Sequence, residues 1–290
     1  MPTMPLVSVV LTTHNSPRAL ELVLEGYRRQ DFTEFEVVLG DDGSREETRE
    51  VVRRMRALCR FPLVHVWHPH RGHWGKMGIV NRAVLAARAE YLIIGDADVI
   101  PRHDYVRTHW EMKRPRCFLA GGDFRLVEEA TRRVTVEDVR SGRVFDPAFL
   151  AGIGQPRTKK FIKLRPRGVV SRVIDAVNVS PARFSGSNAS MWKADFVRVG
   201  GYDETFVSSG KDDTEFGVRL WNAGVKSRHV RHNAIVLHLW HGEGRPVAQA
   251  NADLLEDTRR TRRVMARQGL ELVRDGDHTV ERQSPPVASE

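Results

Sequence analysis

The chain has 290 residues, of which 29% are charged and 41% are hydrophobic. This length suits one enclosed α/β domain or two smaller domains, and the composition can bury a sizeable core. The first apolar stretch, residues 6–11, is far shorter than the roughly 18 residues of a membrane span, so no transmembrane helix is expected. Residues 1–5 lack the basic flank and apolar region of a secretory signal, so we expect no export by that route and a cytoplasmic location.

Charge and cysteine content narrow the classes of partner. Lys and Arg number 46 against 37 Asp and Glu, a formal net charge of +9. Such an excess favours anionic partners: nucleotides, nucleic acid, acidic glycans or lipid headgroups. Cys59 and Cys117 both lie in apolar stretches, so we expect buried, reduced thiols rather than a disulfide.

The first 120 residues alternate short apolar runs with helical patterns, which is typical of a mostly parallel sheet wrapped by helices. The predicted strands are 6–13, 35–40, 63–67 and 91–95, and the predicted helices are 17–29, one that opens after Ser44, and 77–88. Ser16 is expected to cap the first helix ahead of Pro17. Ser44 and Glu47 have the spacing of a capping box for the second helix.

Beyond Gly121 and Gly122 the pattern becomes irregular. Residues 157–172 hold seven basic side chains and no acid, which is typical of a solvated loop or, alternatively, of an anion-binding flap. Order returns with a strand-like run at 184–192, helices from 193 and over 212–222, and a strand at 235–241. Residues 248–273 predict a charged helix, and the tail from 274, with Pro285 and Pro286, is expected to lack fixed structure.

Polar clusters follow three of the predicted strands, at 12–15, 41–44 and 96–98. Because parallel strands direct their carboxyl ends to one edge of a sheet, we expect these clusters to line one crevice. Asp96 and Asp98 could share a hard divalent cation, which prefers oxygen ligands. The alternative for this pair is a turn with helix-capping aspartates.

Taken together, six stretches resemble the family 2 glycosyltransferases, most closely the branch similar to galactosyltransferase and chondroitin-polymerase catalytic domains. They are VSVVLTTHNS, VVLGDDGS, GKMGIVNRAVLAARAEYLIIGDADVIP, GSNASMWKADFVRVGGYDETF, KDDTEFGVRLWNAG and VLHLWH, in that order between residues 5 and 242. The resemblance implies an α/β protein of the GT-A fold, a Rossmann-like mixed sheet flanked by helices. It also implies a catalytic domain over 1–245, with a nucleotide-binding half (1–120) and an acceptor half (121–245). The composition of the remaining residues predicts a helical extension (246–273) and a disordered tail (274–290).

The resemblance also assigns residues to the donor and to a metal. It places the nucleoside against Thr12 and His14, the uracil ring against Asp42, and the diphosphate against Lys76. Asp96 would contact the ribose, or the metal through water. The metal ligands would be Asp98 and His238, and because imidazole is a softer ligand than carboxylate, Mn²⁺ is favoured over Mg²⁺.

The catalytic base implied by the resemblance is Asp213, with Asp212 accepting hydrogen bonds from the incoming sugar. Donor-sugar or acceptor contacts are assigned to Asn188, Trp192 and His241. The cluster of His68, His70, His73 and Trp74 is interpreted as a polar loop at the rim of the crevice. Glu215 fits a role in complementing the dipole of its helix.

The resulting hypothesis is a metal-dependent, inverting transfer of a sugar from a nucleotide-sugar donor, UDP-linked, to a hydroxyl of a glycan, glycolipid or small molecule. The alternatives are a retaining transferase, a sugar nucleotidyltransferase, a non-catalytic sugar-binding relative and a basic nucleic-acid-binding protein. The absence of a glycine-rich loop after the first strand argues against the nucleotidyltransferase, and no nucleic-acid-binding motif is visible. The basic segment 157–172 suggests peripheral contact with the inner face of a membrane. Donor sugar, acceptor, anomeric outcome and oligomeric state lie beyond the sequence.

Overall fold

The computed structural model describes residues 4–282 except 71, 73–74, 165–167, 179, 207 and 243–246. Its strands are β1 Val7–Thr13, β2 Phe35–Asp42, β3 Leu63–His68, β4 Tyr91–Asp96, β5 Val99–Pro101, β6 Cys117–Ala120, β7 Gly122–Arg125, β8 Asn188–Trp192, β9 Lys226–His229, β10 Ile235–His238 and β11 Thr279–Glu281. Its α-helices are α1 Pro17–Arg28, α2 Glu46–Leu58, α3 Lys76–Ala86, α4 Tyr105–Met112, α5 Glu128–Arg133, α6 Val136–Ser141, α7 Pro147–Gly152, α8 Val169–Val177, α9 Lys193–Arg198, α10 Asp212–Asn222 and α11 Gln249–Thr261. Short 3-10 helices cover Arg143–Phe145, Lys159–Leu164 and Leu270–Leu272.

Eight strands form one mixed sheet in the order β11-β3-β2-β1-β4-β8-β6-β9. The strands β3, β2, β1 and β4 are parallel, whereas β8 is antiparallel to β4 and β11 is antiparallel to β3. A second sheet of three strands, β5-β10-β7, lies beyond the end of β4. These findings confirm the predicted α/β class with a mixed, helix-flanked sheet.

Both faces of the large sheet are buried, which is why its central strands are apolar along their whole length. In β1, Val9 and Leu11 pack into one hydrophobic cluster with α1 and α2, whereas Val10 packs into a second cluster with α3. The alternation follows the two-residue period of a strand. Cys59 and Cys117 are buried and free, as predicted.

The predicted cap at Ser44 is wrong. The residue at the N-cap position of α2 is Arg45, and its side chain makes no capping bond. Ser44 instead accepts a hydrogen bond from the backbone of Asn15, and its own N–H donates to Asp41. The serine therefore ties the loop after β1 to the end of β2. Ser16 does stand at the N-cap of α1, but its hydroxyl donates to the His14 carbonyl and does not cap.

The C-terminal region also differs from the prediction. The helix predicted over 248–273 ends at Thr261, and Arg262 takes a left-handed conformation with φ of 51°. The chain then folds back, because the Arg267 guanidinium bonds to Asp203 and Asp257. An unstructured tail from 274 is wrong for residues 274–282, since β11 pairs with β3. Pro285 and Pro286 lie outside the described residues.

Candidate active site

The carboxyl ends of β1, β2 and β4 bring the three predicted polar clusters to one edge of the sheet. In the strand registers Thr12 pairs with Asp96, and Thr13 pairs with Asp41. The Thr12 hydroxyl donates a hydrogen bond of 2.8 Å to Asp96 Oδ1. Two of the residues assigned to the nucleoside are therefore in direct contact.

Asp42, at the end of β2, is surrounded by hydrogen-bond donors. Its Oδ1 lies 2.9 Å from His68 Nε2, and its Oδ2 lies 3.2 Å from both His70 Nδ1 and the backbone nitrogen of Gly75. His14 Nδ1 lies 2.6 Å from the carbonyl oxygen of Asp42. Burial opposes ionisation of Asp42, but the hydrogen bonds and charges of His68 and His70 hold its pKa below the usual value.

The side chains of His14, Asp42 and His70 offer ligand-type atoms that all lie within 4.8 Å of one another. The rings of His14 and His70 are 4.5 Å apart, centroid to centroid. These flat rings and the buried carboxylate form a small pocket wall with both hydrogen-bond donors and acceptors. Such a wall can recognise a planar base.

Lys76, the first residue of α3, connects the two chemical centres. Its Nζ lies 2.7 Å from Asp96 Oδ1. Partial burial alone would lower the pKa of Lys76, but Asp96, Asp213 and Asp212 together raise it above its usual value. The lysine is therefore a fixed positive charge between the end of β4 and the start of α10.

Asp98 and His238 converge, although 140 positions separate them in the sequence. The register of β10 against β5 pairs His238 with Val99, and the Leu239 N–H donates to the Asp98 carbonyl. His238 Nε2 lies 3.8 Å from Asp98 Oδ2. The pairing on which the metal assignment depends is thus present in the fold.

His241 joins the same pair, whereas the sequence assigned it to the sugars. Its Nε2 lies 3.7 Å from Asp98 Oδ2 and 3.2 Å from His238 Nε2. The ligand-type atoms of Asp98, His238 and His241 lie within 4.8 Å of one another. The rings of the two histidines meet because His241 follows a short turn directly after β10.

This group fits a divalent cation. Within the described part of the chain, Asp98 Oδ1 and His238 Nδ1 are buried side-chain atoms that lack a hydrogen-bond partner. Burial, together with the charge of Asp96, raises the pKa of Asp98. A cation would offset both costs, and one carboxylate with two imidazoles would offer it three ligands.

Asp213 lies at the start of α10, where Lys211 holds a left-handed conformation with φ of 73°. Asp213 Oδ1 accepts a hydrogen bond of 2.8 Å from the Tyr202 hydroxyl. A Cβ added to Gly186 would lie 2.4 Å from this oxygen, so the glycine makes room for the carboxylate. Asp213 is half-buried and is therefore reachable from the crevice.

Asp212 is more buried than its neighbour, and its Oδ1 accepts a hydrogen bond of 2.9 Å from the backbone of Gly210. Burial and the charge of Asp213 raise the pKa of Asp212 to about 6. Glu215 does more than complement the helix dipole, because it forms a buried ion pair with Arg219.

Two residues assigned to sugars do not fit that role. Asn188 is buried, and its side chain bonds to the carbonyls of Gly122 and Ala234 and to the Tyr105 hydroxyl. It locks the two sheets together. Trp192 pairs with Tyr91 in the strand register, at the end of β4 remote from Asp96, so the strand rise places it roughly 16 Å away.

The sequence analysis placed His68 and His70 at the rim of the crevice without their contact with Asp42, and it did not identify Tyr202. His68 is not a loop residue but the last residue of β3, directly opposite Asp42 in the strand register. That position was readable from the run Leu63–His68. Tyr202 carried no local signal, and His73 and Trp74 lie outside the described residues.

The basic segment 157–172 contains the 3-10 helix Lys159–Leu164 and the start of α8, and residues 165–167 lie outside the described residues. The Lys163 ammonium bonds to the carbonyl of Asp123 in β7. Arg157, Lys159, Lys160 and Arg172 are exposed. Across the described ranges, none of the helices has the length and hydropathy needed to span a bilayer.

Comparison with solved structures defines the class to which this fold belongs. The chain is similar to a mannosyltransferase from Pyrobaculum calidifontis in complex with GDP-Man and Mn²⁺, with a TM-score of 0.56, 19% identity, and coverage of 84% of this chain and 59% of that one. It is also similar to TarS 1–349 of S. aureus in complex with UDP, with a TM-score of 0.53, 15% identity, and coverage of 81% and 60%. The fold is that of the GT-A glycosyltransferases.

Two family models match separate parts of the sequence. The model of "Glycosyl transferase family 2" matches residues 8–135, and that of "N-terminal domain of galactosyltransferase" matches residues 171–242. Both matches agree with the resemblance to family 2 glycosyltransferases and to galactosyltransferase domains seen in the sequence.

Curated relatives agree with this placement. Chondroitin synthase of Escherichia coli is 24% identical over 77% of this chain and 33% of its own length. Validoxylamine A glucosyltransferase of Streptomyces hygroscopicus subsp. jinggangensis is 29% identical over 76% of this chain and 52% of its own length. The chain thus spans between one third and one half of these relatives.

Proposed function

We propose that the protein transfers a glycosyl group from a nucleotide-sugar donor, a UDP-sugar, to a hydroxyl of a glycan, glycolipid or small-molecule acceptor. The transfer is metal-dependent and inverts the anomeric centre. The observation that carries this proposal is the convergence of Asp98, His238 and His241 beside Lys76, within electrostatic range of Asp213. The match of residues 8–135 to the family 2 glycosyltransferase model supports the reaction class, and the similar structures with UDP and with GDP-Man support the donor class.

The donor is held along the edge of the sheet. His14 and Asp42 bind the base, and the Asp42 carboxylate accepts from a ring N–H in a charge-assisted hydrogen bond. The Thr12–Asp96 pair contacts the ribose. Lys76 lies next to the diphosphate and offsets part of its charge.

A divalent cation held by Asp98, His238 and His241 would neutralise negative charge on the departing nucleotide. With two imidazoles in the group, Mn²⁺ is the favoured ion. Asp96, already bonded to Thr12 and Lys76, stays an outer contact.

Asp213 accepts the proton of the acceptor hydroxyl as its oxygen attacks the anomeric carbon. The Tyr202 hydroxyl, donating to Oδ1, fixes the orientation of the carboxylate and leaves Oδ2 for the acceptor. Gly186 keeps this space open. Asp212, bonded to the Gly210 backbone and largely buried, serves as a hydrogen-bonding partner of the substrates.

The acceptor side lies next to the start of α10. A cavity of about 660 Å³ opens there between α10 and α11, lined among others by Lys211, Thr214, Trp221 and Arg259. Trp221 is partly exposed and offers a flat apolar face, and the lining also holds charged side chains of both signs, among them Lys211 and Glu256. We therefore assign this cavity to the acceptor. We also propose that the protein is cytoplasmic and contacts the inner face of a membrane peripherally through the basic segment 157–172.

The metal assignment is tested by titrating Mn²⁺ into the chain by calorimetry. Asp98→Asn and His238→Ala should each weaken Mn²⁺ binding by at least about tenfold, because each removes a ligand. Asp275→Asn, at an exposed carboxylate remote in sequence from the site, is the matched control. Mn²⁺ binding that is unchanged in both variants would place the metal elsewhere.

The donor and the base are tested in sequence. Thermal-shift screening of nucleotide sugars with and without Mn²⁺ should show UDP-sugars raising the melting temperature most, since ligands stabilise the state they bind. With the donor found, Asp213→Asn should lower kcat about 10²–10⁴-fold while nucleotide binding persists. If Asp213→Asn keeps its turnover and Asp212→Asn loses it, the base is Asp212. Proton NMR of the product distinguishes inversion from retention.

A further inference from the structure

The helix α8 exposes its apolar face to solvent. Five of its nine residues, Val169, Val170, Val173, Ile174 and Val177, are apolar and between 41% and 78% exposed. A helix packed on a water-soluble core normally turns its apolar stripe inward. Here the stripe faces away from the protein.

The polar side of α8 is the side that docks onto the fold. Ser171 donates to Asn233 Oδ1 at 3.0 Å. Asp175 is buried, with Oδ2 2.6 Å from Asn233 Nδ2 and Oδ1 2.8 Å from His232 Nδ1. Rolling the helix to bury its valines would break these bonds and leave a buried carboxylate without partners, so the orientation is fixed.

Nothing intrinsic to α8 accounts for this exposed stripe. Val and Ile are poor helix formers, so they do not serve local helix stability. Ile162, in the preceding 3-10 helix, is also exposed. A concentrated exposed apolar surface marks a place where another apolar phase or molecule binds.

The charge around α8 indicates which partner binds its exposed apolar stripe. Between residues 147 and 194 the sequence holds nine Lys and Arg and a single acid, Asp175. That acid is turned inward, whereas Arg157, Lys159, Lys160 and Arg172 are exposed, Arg172 lying 3.7 Å from Glu111. A second copy of this chain would bring the same cations together, which is unfavourable. Anionic lipid headgroups above an acyl layer complement both the cations and the valines.

We propose that α8 lies in the interface of an anionic lipid bilayer, with its apolar stripe among the acyl chains and the surrounding cations on the headgroups. The proposal deepens the membrane contact and rests on the proposed function only for its purpose, which is access to acceptors at a bilayer. Asn233 also links the surface to the site, because β10 begins two residues later and ends at His238. Docking at α8 therefore sets the orientation of the site relative to the bilayer.

The experiment is vesicle flotation of the full chain, without donor or metal. We expect binding to vesicles of phosphatidylcholine with phosphatidylglycerol, little binding to phosphatidylcholine alone, and weakening as salt is raised. The double variant Val170→Asp/Val173→Asp should lower the partition coefficient at least about tenfold, since two apolar anchors become charges. Val197→Asp, at a valine of α9 that is 46% exposed, is the matched control and should bind as the wild type does.

Lys159→Glu/Lys160→Glu should reduce binding to the anionic vesicles while leaving the valines in place. Circular dichroism and urea unfolding verify that each variant is folded. The proposal is wrong if the wild type does not bind anionic vesicles, or if the double Asp variant still binds them as the wild type does. It is also wrong if the wild type self-associates in analytical ultracentrifugation without binding lipid and the double Asp variant does not self-associate. Vesicle binding without nucleotide-sugar binding would contradict the proposed function and still support the membrane-binding role of α8.

Discussion

Ionisation of Asp212 should destabilise the fold, and Asp212→Asn should remove this destabilisation. Burial and the neighbouring Asp213 raise the pKa of this carboxyl from its usual value of about 4 to about 6. The folded state therefore holds the proton more tightly than the unfolded state. For a raised carboxyl pKa, stability is greatest below the unfolded pKa and falls as pH rises through the folded one. Asn cannot ionise, and its Oδ1 can still accept from Gly210.

The magnitude follows from the two pKa values. Linkage between them gives a penalty on the wild type of less than about 1 kcal/mol at pH 4 and of about 3 kcal/mol at pH 8. The loss of a negative charge from the first turn of α10 costs the variant about 0.5 kcal/mol. Asp212→Asn should thus be close to wild type in stability at pH 4 and more stable by about 2 kcal/mol at pH 8.

Urea unfolding of both chains between pH 4 and pH 8 measures the difference, with Asp275→Asn as a control in which no such slope is expected. The diagnostic quantity is the change of the free-energy gap with pH. A gap that stays flat, or that favours the wild type increasingly as pH rises, refutes the account of Asp212 as a carboxyl whose ionisation the fold opposes.

Three further results are expected. Arg219→Ala should destabilise the chain by about 3 kcal/mol in urea, because it breaks the buried ion pair with Glu215 and leaves that carboxylate only the Thr258 hydroxyl and a 3.7 Å contact with Arg267. Asp277→Ala should lower the free energy of unfolding by about 1–3 kcal/mol above pH 4, because Asp277 pairs with the buried Arg82. The pKa of Asp277 is lowered to about 2, so this difference between variant and wild type should disappear as the pH falls toward 2 in an acid titration of stability. Tyr202→Phe should lower kcat about tenfold with KM little changed, because Asp213 loses its orienting bond; a change confined to KM contradicts that role.

Much of the fold was predictable because its central strands are buried on both faces. The runs at 6–13 and 91–95 have no alternation, and only strands covered on both sides have that pattern. Their polar ends then had to meet at one edge, which is why Thr12, Asp96 and Asp42 were found together.

What escaped prediction depends on contacts between distant segments. His241 was assigned to sugars because nothing local shows that its turn folds back toward Asp98. Asn188 looks like a ligand in its glycine- and serine-rich stretch, yet the meeting of two sheets, visible only in three dimensions, consumes its amide. At Ser44 the capping pattern was present, but Asn15 competes for the hydroxyl, and tertiary context decided the outcome.

The position of Lys76 has a consequence for how this protein folds. Carboxylates that cluster in a metal site repel one another until the ion binds, so folding often depends on the supply of the ion. Here the chain brings its own ammonium to Asp96, Asp212 and Asp213, a counter-ion encoded in the sequence. The polypeptide can therefore assemble this part of its crevice without a bound cation.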